Sequence, residues 1–286
     1  MHYRETLPRP SLRSHVRCIW LLTGSADDPG AGVEQVIPDG CGEIILNRAD
    51  HFCRLQDGET RAQAEVLLVG QIGTSISIAP SGAIDLLGVR FEPGGLHAVL
   101  GVPMHELTDL DLSLDCISRR LHASLSAACE PGLVADRIRA VEEAITCELR
   151  ARAQTLRSNF GLIAAAVQRI ESRPGTTEMV SAELGVSRRS LERSFRREVG
   201  LSPKHYSRVR RLQSVLRLLD EGQPPHGWAS LAAGCGYADQ SHLIRDFRLL
   251  AGTTPERYLA QRTAIGGFLQ IEDVSHSSNP WPADGG

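Results

Sequence analysis

The sequence predicts an α+β protein with more than one domain. A β-rich N-terminal domain, barrel-like or sandwich-like, is followed by helices and then by an all-α C-terminal domain with two helix-turn-helix units. Three observations predict this arrangement. Short aliphatic and β-branched runs fill residues 1 to about 92, helical periodicity follows them, and one motif near the C-terminus occurs twice. At 286 residues the chain is long enough for two domains with separate cores.

Six short runs in the first third of the chain are predicted strands. Turn signals such as Pro38-Asp39-Gly40 and Asp57-Gly58 separate them. Many short strands with regular turns are typical of a barrel or a sandwich. The runs are RCIWLL (17–22), GVEQVI (32–37), EIILN (43–47), AEVLLVG (64–70), SISIA (75–79) and IDLLGVRF (84–91).

Helical patterns begin after residue 94. The candidates cover residues 95–101, 114–128 and 133–155, and in the last of these the apolar residues recur every three or four positions. We expect the domain boundary near residues 150–158. This gives an N-terminal domain over 1–150, a C-terminal domain over 157–262, and a tail over 263–286 whose end has the composition of a disordered segment.

The net charge of −3 hides an uneven distribution. Residues 157–262 hold 17 Lys and Arg against 10 Asp and Glu, a net +7, and the remainder is acidic with a net −10. A basic block beside an acidic one indicates a polyanion-binding domain joined to another module. The sequence has neither a run of about 18 apolar residues nor a secretory signal, and its seven cysteines include no CxxC pair. We therefore expect a cytoplasmic protein with reduced thiols and no membrane partner.

The repeated motif has a spacing of 52 residues. Between residues 187 and 206, seven of twenty positions are identical to the residues 52 positions later, against roughly one or two by chance. A repeat at fixed spacing indicates one structural unit built twice. The identical pairs are Leu191 and Leu243, Arg193 and Arg245, Phe195 and Phe247, Arg196 and Arg248, Gly200 and Gly252, Pro203 and Pro255, and Tyr206 and Tyr258.

Each copy of the motif predicts a helix, a tight turn and a second helix. In the first copy, Thr176 or Thr177 caps a short helix, Gly185 permits the turn and Ser187 caps a strongly basic helix. In the second copy, residues 228–236 form the first helix and Asp239 replaces the serine cap. This is the helix-turn-helix pattern.

A long helix is predicted between the two units. It starts at Ser202-Pro203 and runs to about Leu219, which gives a rod of about 25 Å. Successive major-groove faces of a duplex lie about 34 Å apart. A rigid connector of this order could hold two recognition helices on one side of the duplex.

Residues from about Arg157 to Arg262 resemble the DNA-binding domain of the AraC/XylS family of bacterial transcriptional regulators. The motifs that carry the resemblance are ELGVSRRSLERSFRREVGLSPKHY and GCGYADQSHLIRDFRLLAGTTPERY. The resemblance implies seven helices that hold two helix-turn-helix units, and a cytoplasmic DNA-binding transcription factor. Its implied partners are double-stranded operator DNA and RNA polymerase.

The resemblance also implies which side chains face DNA. Arginine suits guanine and glutamine suits adenine, because each pairs in bidentate fashion with its base, whereas an acid such as Glu192 must find a cytosine amine or an arginine. The expected base contacts are Arg189, Glu192, Arg193, Gln240, Ser241, His242 and Arg245. The expected phosphate contacts are Arg188, Arg196, Arg208, Arg210, Arg211 and Arg248.

The N-terminal domain resembles one found in some of these regulators, through VRCIWLL, VEQVIPDGCGEIILN, LVGQ and DLLGVRFEPGGLHAVLG. In the family such a domain senses a signal or dimerises the protein. A pocket for a small-molecule effector is expected inside the barrel, with no cofactor implied. Cys41 lies at a turn, where a thiol can act as a sensor, although an ordinary half-buried cysteine is the favoured interpretation.

Catalysis is not expected. The histidines of the first half are scattered, and the chain has no nucleophile elbow, P-loop or dinucleotide-binding fingerprint. Three alternatives stay open at this point. They are an architectural DNA binder without sequence preference, an enzyme fused to a DNA-binding domain as in alkyl-transfer repair regulators, and a protein-protein scaffold.

Overall fold

A computed structural model describes residues 1–29, 31–128, 130, 132–153, 160–172, 175–220 and 227–260. The predicted tail, residues 263–286, therefore lies outside the described residues, as do residues 154–159 within the predicted boundary. Within the described part, no helix is long and apolar enough to cross a membrane.

The N-terminal domain contains two antiparallel sheets. The larger has the strand order β1-β2-β9-β4-β7-β10, and the smaller has the order β3-β8-β5-β6. Pairing between sequence-distant strands closes the sheets around a common interior. The strands are β1 (His2–Thr6), β2 (Val16–Ser25), β3 (Glu34–Val36), β4 (Glu43–Asn47), β5 (Cys53–Gln56), β6 (Glu59–Ala62), β7 (Val66–Val69), β8 (Ile76–Ala79), β9 (Ala83–Phe91) and β10 (Asp111–Ser113).

The larger sheet is covered on both faces. Along β4, Ile44 and Leu46 belong to the core that the sheet shares with the following helices. Glu43, Ile45 and Asn47 alternate with them and line a cavity between the two sheets. The sheet therefore separates an apolar core from an interior space.

Three helices cover the outer face of the larger sheet. They are α1 (Gly95–Leu100), α2 (Arg119–Ala127) and α3 (Val134–Arg152), with short 3-10 turns between them. Val141 and Ile145 of α3 are fully buried in this core, as the helical spacing predicts. The predicted helix over 114–128 begins instead with a 3-10 turn over Leu114–Cys116, and Ser118 caps α2.

The C-terminal domain consists of seven helices among the described residues, the number that the resemblance implies. Its core contains residues from both repeat copies and from the long helix between them, and Ile37 of the N-terminal domain joins it. The helices are α4 (Phe160–Ser172), α5 (Thr177–Glu183), α6 (Arg188–Glu198), α7 (Pro203–Asp220), α8 (Trp228–Gly234), α9 (Gln240–Ala251) and α10 (Pro255–Ala260).

The predicted fold class is confirmed, with additions. All six predicted strands form, and β1, β5, β6 and β10 were not predicted. Asp57 and Gly58 make the two-residue turn between β5 and β6, and both have positive φ, as a tight hairpin turn requires. β1 and β6 are edge strands, and each pairs with one neighbouring strand only. Their sequences are polar, so no apolar run predicts them.

Candidate nucleic-acid interface

The two basic helices begin in the same way. The hydroxyl of Ser187 accepts a hydrogen bond from the backbone N–H of Ser190 at 3.2 Å. In the second copy, the carboxylate of Asp239 accepts from the N–H of His242 at 2.7 Å. Each cap satisfies one of the free N–H groups of its helix and fixes where the first turn starts. These are the cap residues that the sequence predicts.

The inner faces of the two copies pack alike. The rings of Phe195 and Tyr206 meet edge to face with centroids 5.4 Å apart at 61°. Phe247 and Tyr258, at the equivalent positions, meet at 5.7 Å and 64°. This geometry is favourable for aromatic pairs. The repeat in the sequence is thus a repeat in packing, which gives α6 and α9 equivalent supports.

The side chains predicted to contact bases lie in the first two turns of α6 and α9. Arg189 and Arg193 are exposed on α6, and Glu192 between them is partly exposed. On α9, Gln240, Ser241 and Arg245 are exposed and His242 is partly exposed. The structure therefore places every predicted base-contacting residue on an accessible surface.

One cleft separates the N-terminal halves of the two basic helices. It measures about 800 Å³, and its walls come from α5, α6, α7 and α9. Arg188 and Glu192 border it on one side, Lys204 comes from the start of α7, and His242 and Arg245 border it on the other side. Of the predicted base contacts, Glu192, His242 and Arg245 line this cleft. The other four are exposed but lie outside its lining: Arg189, Arg193, Gln240 and Ser241.

Arg188 and Glu192 are bound to each other on the surface of α6. The Nε of Arg188 donates to Glu192 at 2.8 Å, and its guanidinium also pairs with Glu178 of α5. The hydrogen bond to Glu192, together with both carboxylates, raises the pKa of Arg188. Glu192, an acid that needs a cytosine amine or an arginine as its partner, therefore has Arg188 within its own helix.

Two arginines predicted to contact phosphate have a carboxylate partner inside the domain. Arg208 donates from Nη2 to the buried carboxylate of Asp246 at 2.8 Å. Arg211 lies 3.6 Å from the same carboxylate, and its guanidinium carbon is 5.0 Å from the centre of the Tyr237 ring. These contacts join α7 to α9, so a phosphate would have to share or displace them. Their phosphate role stays a prediction.

Arg210 belongs to the contact between the two domains. Its Nε lies 2.9 Å from the carboxylate of Glu171, and its Nη1 donates to the backbone carbonyl of Asp39 at 3.4 Å. Of the predicted phosphate contacts, Arg196 and Arg248 are the exposed pair at equivalent repeat positions.

Comparison with known protein families agrees with this geometry. Residues 180–261 match a family described as a helix-turn-helix domain, and the match runs from within α5 through α10. The chain carries an AraC-type helix-turn-helix domain. The resemblance stated from the sequence is confirmed for this part of the chain. Residues 4–113 match a second family, described as a domain of unknown function (DUF6597).

Individual proteins are similar to the chain over different extents. The HTH-type transcriptional regulator ArgR of Pseudomonas aeruginosa is 30% identical over 162 residues, which are 56% of this chain and 48% of ArgR. The match thus spans about half the length of that relative. A probable AraC family transcriptional regulator from Rhodopseudomonas palustris is 31% identical over 35% of this chain and 96% of its own, with a TM-score of 0.32. The apo form of a single-substitution variant of ToxT from Vibrio cholerae is 14% identical, and the match covers 85% of this chain and 97% of that chain with a TM-score of 0.45.

The N-terminal domain contacts both copies of the AraC-type unit at the same repeat position. The hydroxyl of Thr108 donates to the carbonyl of Gly200 at 3.0 Å. At the second copy, the N–H of Ser75 donates to the carbonyl of Leu250 at 2.7 Å. Gly252, the counterpart of Gly200, lies against Ser75. These contacts lie near the C-terminal ends of α6 and α9, opposite the exposed N-terminal halves.

The helix between the two units is held by the segment 38–40. The amide of Gln213 donates to the carbonyl of Pro38 at 2.6 Å, and both groups are buried. Gly40 has a φ of +85°, and a Cβ there would lie 2.6 Å from the ring of Tyr206. The Nε2 of His205 donates to the carbonyl of Gly73 at 3.0 Å. The AraC-type domain is thus braced along α7 and near the C-terminal ends of α6 and α9.

The segments that brace the AraC-type domain also form one end of the cavity between the sheets. Ile37, Asp39 and Cys41 come from the first segment, and Gly70 and Ile72 come from the loop after β7. The cavity encloses about 80 Å³ and is mostly apolar. A cavity therefore lies between the two sheets, and its wall is continuous with the domain contact. Its use as an effector pocket stays a prediction.

Charged groups cluster in this wall. Arg90 lies 2.6 Å from Glu43 and 3.3 Å from Asp39, and 3.7 Å from Glu5 outside the cavity. Burial alone would lower the pKa of Arg90, but Glu43 and Asp39 outweigh it and raise the pKa well above its usual range. Burial raises the pKa of Glu43, and Arg90 opposes this effect.

Cys41 is buried rather than exposed at its turn. Burial raises the pKa of its thiol well above the ordinary range, and Arg17 only partly offsets this effect. A protonated thiol is a poor nucleophile, which favours the structural interpretation of this cysteine. Among the described residues, no group of three His, Cys, Asp or Glu side chains is placed to hold a metal ion.

Proposed function

We propose that the protein is a transcription factor that reads double-stranded DNA by sequence through two recognition helices, α6 and α9. Each helix enters one of two adjacent major-groove segments with its N-terminal half. Exposed side chains there carry the base contacts, and the N-terminal domain controls how the two helices are placed. The observation that carries the proposal is the pair of equivalent, capped helices with exposed polar side chains in their first two turns.

The chemistry of the exposed residues fits base recognition. Arg189 and Arg193 offer the bidentate donors that recognise guanine, and Arg245 does the same on α9. Gln240 has the donor and acceptor that match adenine. The AraC-type domain has a net positive charge, which favours approach to the phosphate backbone.

The arginines divide into two groups on this proposal. Arg196 and Arg248 are exposed, occupy equivalent positions, and are the preferred phosphate contacts. Arg208, Arg210 and Arg211 have carboxylate partners within the protein, and we assign them to positioning the two units. Arg188 and Glu192 form a surface pair whose opening would release an arginine for DNA.

The length of helix α7 supports recognition of two DNA segments. Helix α7 has 18 residues and is therefore about 27 Å long, close to the pitch of the duplex. The buried pairs that tie α7 to α9 favour a fixed relation between the two units. A fixed relation means that spacing between the two DNA segments is read as well as their sequence.

Control from the N-terminal domain follows from the shared wall. The segments 37–41 and 70–75 line the cavity on one side and contact the AraC-type domain on the other. A ligand that binds one arrangement of these segments better than another would shift the placement of the readers. RNA polymerase and a second copy of the chain are further partners consistent with this class of regulator.

Selection of bound sequences from a random pool of double-stranded DNA tests the proposal. We expect a two-part motif and specific binding at least about a thousandfold tighter than to random DNA at the same salt concentration. Binding of random DNA with equal affinity would identify an architectural binder and overturn the sequence-reading function. Catalysis plays no part in the proposal.

A further inference from the structure

The cavity of the N-terminal domain has a wall chemistry that selects among ligand classes. Most of its lining is aliphatic, with Leu22, Leu67, Ile76 and Ile78 among the contributors. At about 80 Å³ it is well below the roughly 300–1,000 Å³ of pockets for drug-sized ligands. The space therefore suits a small ligand with a single ring or a short chain.

One aromatic ring forms part of this wall. Trp20 on β2 is paired with Gly88 on β9, and a side chain at Gly88 would overlap the indole. The ring therefore lies across the glycine on the cavity side of the sheet. Its Nε1 is buried and lowers the pKa of Glu43, but it completes no hydrogen bond of good geometry among the described residues. Trp20 thus brings an aromatic surface to the cavity, and its Nε1 lies close to the Glu43 carboxylate.

The charged groups of the wall are not balanced. Asp39 and Glu43 line the cavity with Arg90, so two carboxylates face one guanidinium, and Glu5 stands behind Arg90. Arg90 is already bound to these carboxylates. An anionic ligand would therefore have to displace a buried ion pair, which is unfavourable.

We propose that the cavity binds a small ammonium ligand with an apolar body, with its charge placed between the Trp20 ring and the carboxylates of Asp39 and Glu43. An aromatic ring and a carboxylate each attract an ammonium group, and the attraction is stronger in a desolvated site. The aliphatic lining buries the apolar body. This inference rests on the proposed role of the N-terminal domain as the sensor, and it specifies what the sensor accepts.

Binding at this place also explains how a signal would leave the cavity. The carboxylate of Asp39 accepts from the N–H of Cys41 at 2.8 Å, and the carbonyl of the same residue accepts from Arg210 of α7. A cation that draws the Asp39 side chain toward the cavity moves a turn that holds α7. The ligand site and the brace therefore share one residue.

Three probes with similar bodies test the ligand class on the full chain. They are 2-phenylethylamine, 2-phenylethanol and 3-phenylpropanoate, and binding is measured by calorimetry and by the rise in Tm. We expect the amine to bind at least about tenfold tighter than the alcohol and the acid. Equal or tighter binding of the alcohol or the acid would overturn the proposal, and so would the absence of amine binding.

Variants locate the site and its charge. Glu43→Gln and Asp39→Asn keep the shape of the wall. In the second variant the side-chain amide oxygen can still accept from the N–H of Cys41, so this variant is the safer one to fold. In each, the preference for the amine over the alcohol should fall to about threefold or less. Ile45→Phe fills the cavity and should abolish binding of all three probes. Unchanged amine binding in Ile45→Phe would place the site elsewhere and refute the proposal.

The ligand test and the DNA-selection test can fail independently. Failure of the amine with a DNA motif still selected would remove the ligand class alone. Amine binding without any selected motif would leave the ligand site standing and remove the proposed function. Amine binding that leaves DNA affinity unchanged would remove the coupling between cavity and readers.

Discussion

Gly200 and Gly252 occupy the same position in the two repeat copies, and both lie against the N-terminal domain. A Cβ at Gly200 would lie 3.0 Å from the hydroxyl of Thr108, and one at Gly252 would lie 2.9 Å from the amide of Gln35. Both glycines have positive φ at the ends of their basic helices. The N-terminal domain therefore holds two equivalent points, one at the C-terminal end of α6 and one at the C-terminal end of α9.

The contact between Gly40 and Tyr206 is testable with a matched glycine. Gly40→Ala and Gly58→Ala both place alanine at a φ near +85°, which costs about 1–2 kcal/mol in each case. Only Gly40 meets another group, because nothing lies within 4 Å of a Cβ at Gly58. We expect Gly40→Ala to lower the free energy of unfolding by a further 1–3 kcal/mol or so. Equal losses in urea unfolding of the two variants would show that the Tyr206 ring makes room for a methyl group and that this contact is not tightly packed.

Arg245→Ala should affect one base position. Loss of a bidentate base contact costs about 1–3 kcal/mol and relaxes the preference at that position. Arg248→Ala, three residues later on the same helix, is the matched control, and it should weaken all sequences alike. Binding to a set of singly substituted DNA sites separates the two patterns. A uniform loss in Arg245→Ala would assign this residue to phosphate.

Arg210→Ala and Arg196→Ala should differ in salt dependence. The sequence predicts that Arg210 contacts phosphate. In the structure, however, Arg210 is bound to Glu171 and to the Asp39 carbonyl. We therefore expect Arg210→Ala to leave the slope of log K against log salt unchanged and to lower Tm. Arg196→Ala should reduce the slope by about one and leave Tm unchanged. A reduced slope in Arg210→Ala would restore its phosphate role.

Replacement of Asp246 should destabilise the AraC-type domain. Asp246 is 3% exposed, and its carboxylate is shared by Arg208 and Arg211. Asp246→Ala leaves two guanidiniums at a half-buried site without this acid, so we expect a loss of about 3 kcal/mol in chemical unfolding. A change below about 1 kcal/mol would mean that solvent already screens these pairs.

Short-range patterns predicted much of the two helix-turn-helix units. Caps, turns and the spacing of apolar residues act within a few positions, so Ser187, Asp239, Leu191 and Leu243 could be placed from the sequence. The partners of Arg208, Arg210 and Arg211 could not. Those partners lie 38 residues away for Arg208 and 171 for Arg210, and no local signal encodes such a pairing.

The cavity shows the same limit. Alternation along β4 places Glu43, Ile45 and Asn47 on one face, but which sheet they face depends on strand order, which pairs β4 with β9 and β7. Glu43 and Arg90 are directly opposite in this register. The sequence does show an acid in one strand-like run and a base in another. It does not show that these two runs are neighbouring strands, so the ion pair could not be predicted.

The most direct test of two-helix reading is selection from random DNA with three proteins: the unaltered chain, Arg193→Ala and Arg245→Ala. Reading by two helices predicts a motif with two parts about 10–10.5 base pairs apart, of which each variant loses a different part. It would be contradicted by a single undivided motif, or by two variants that lose the same part.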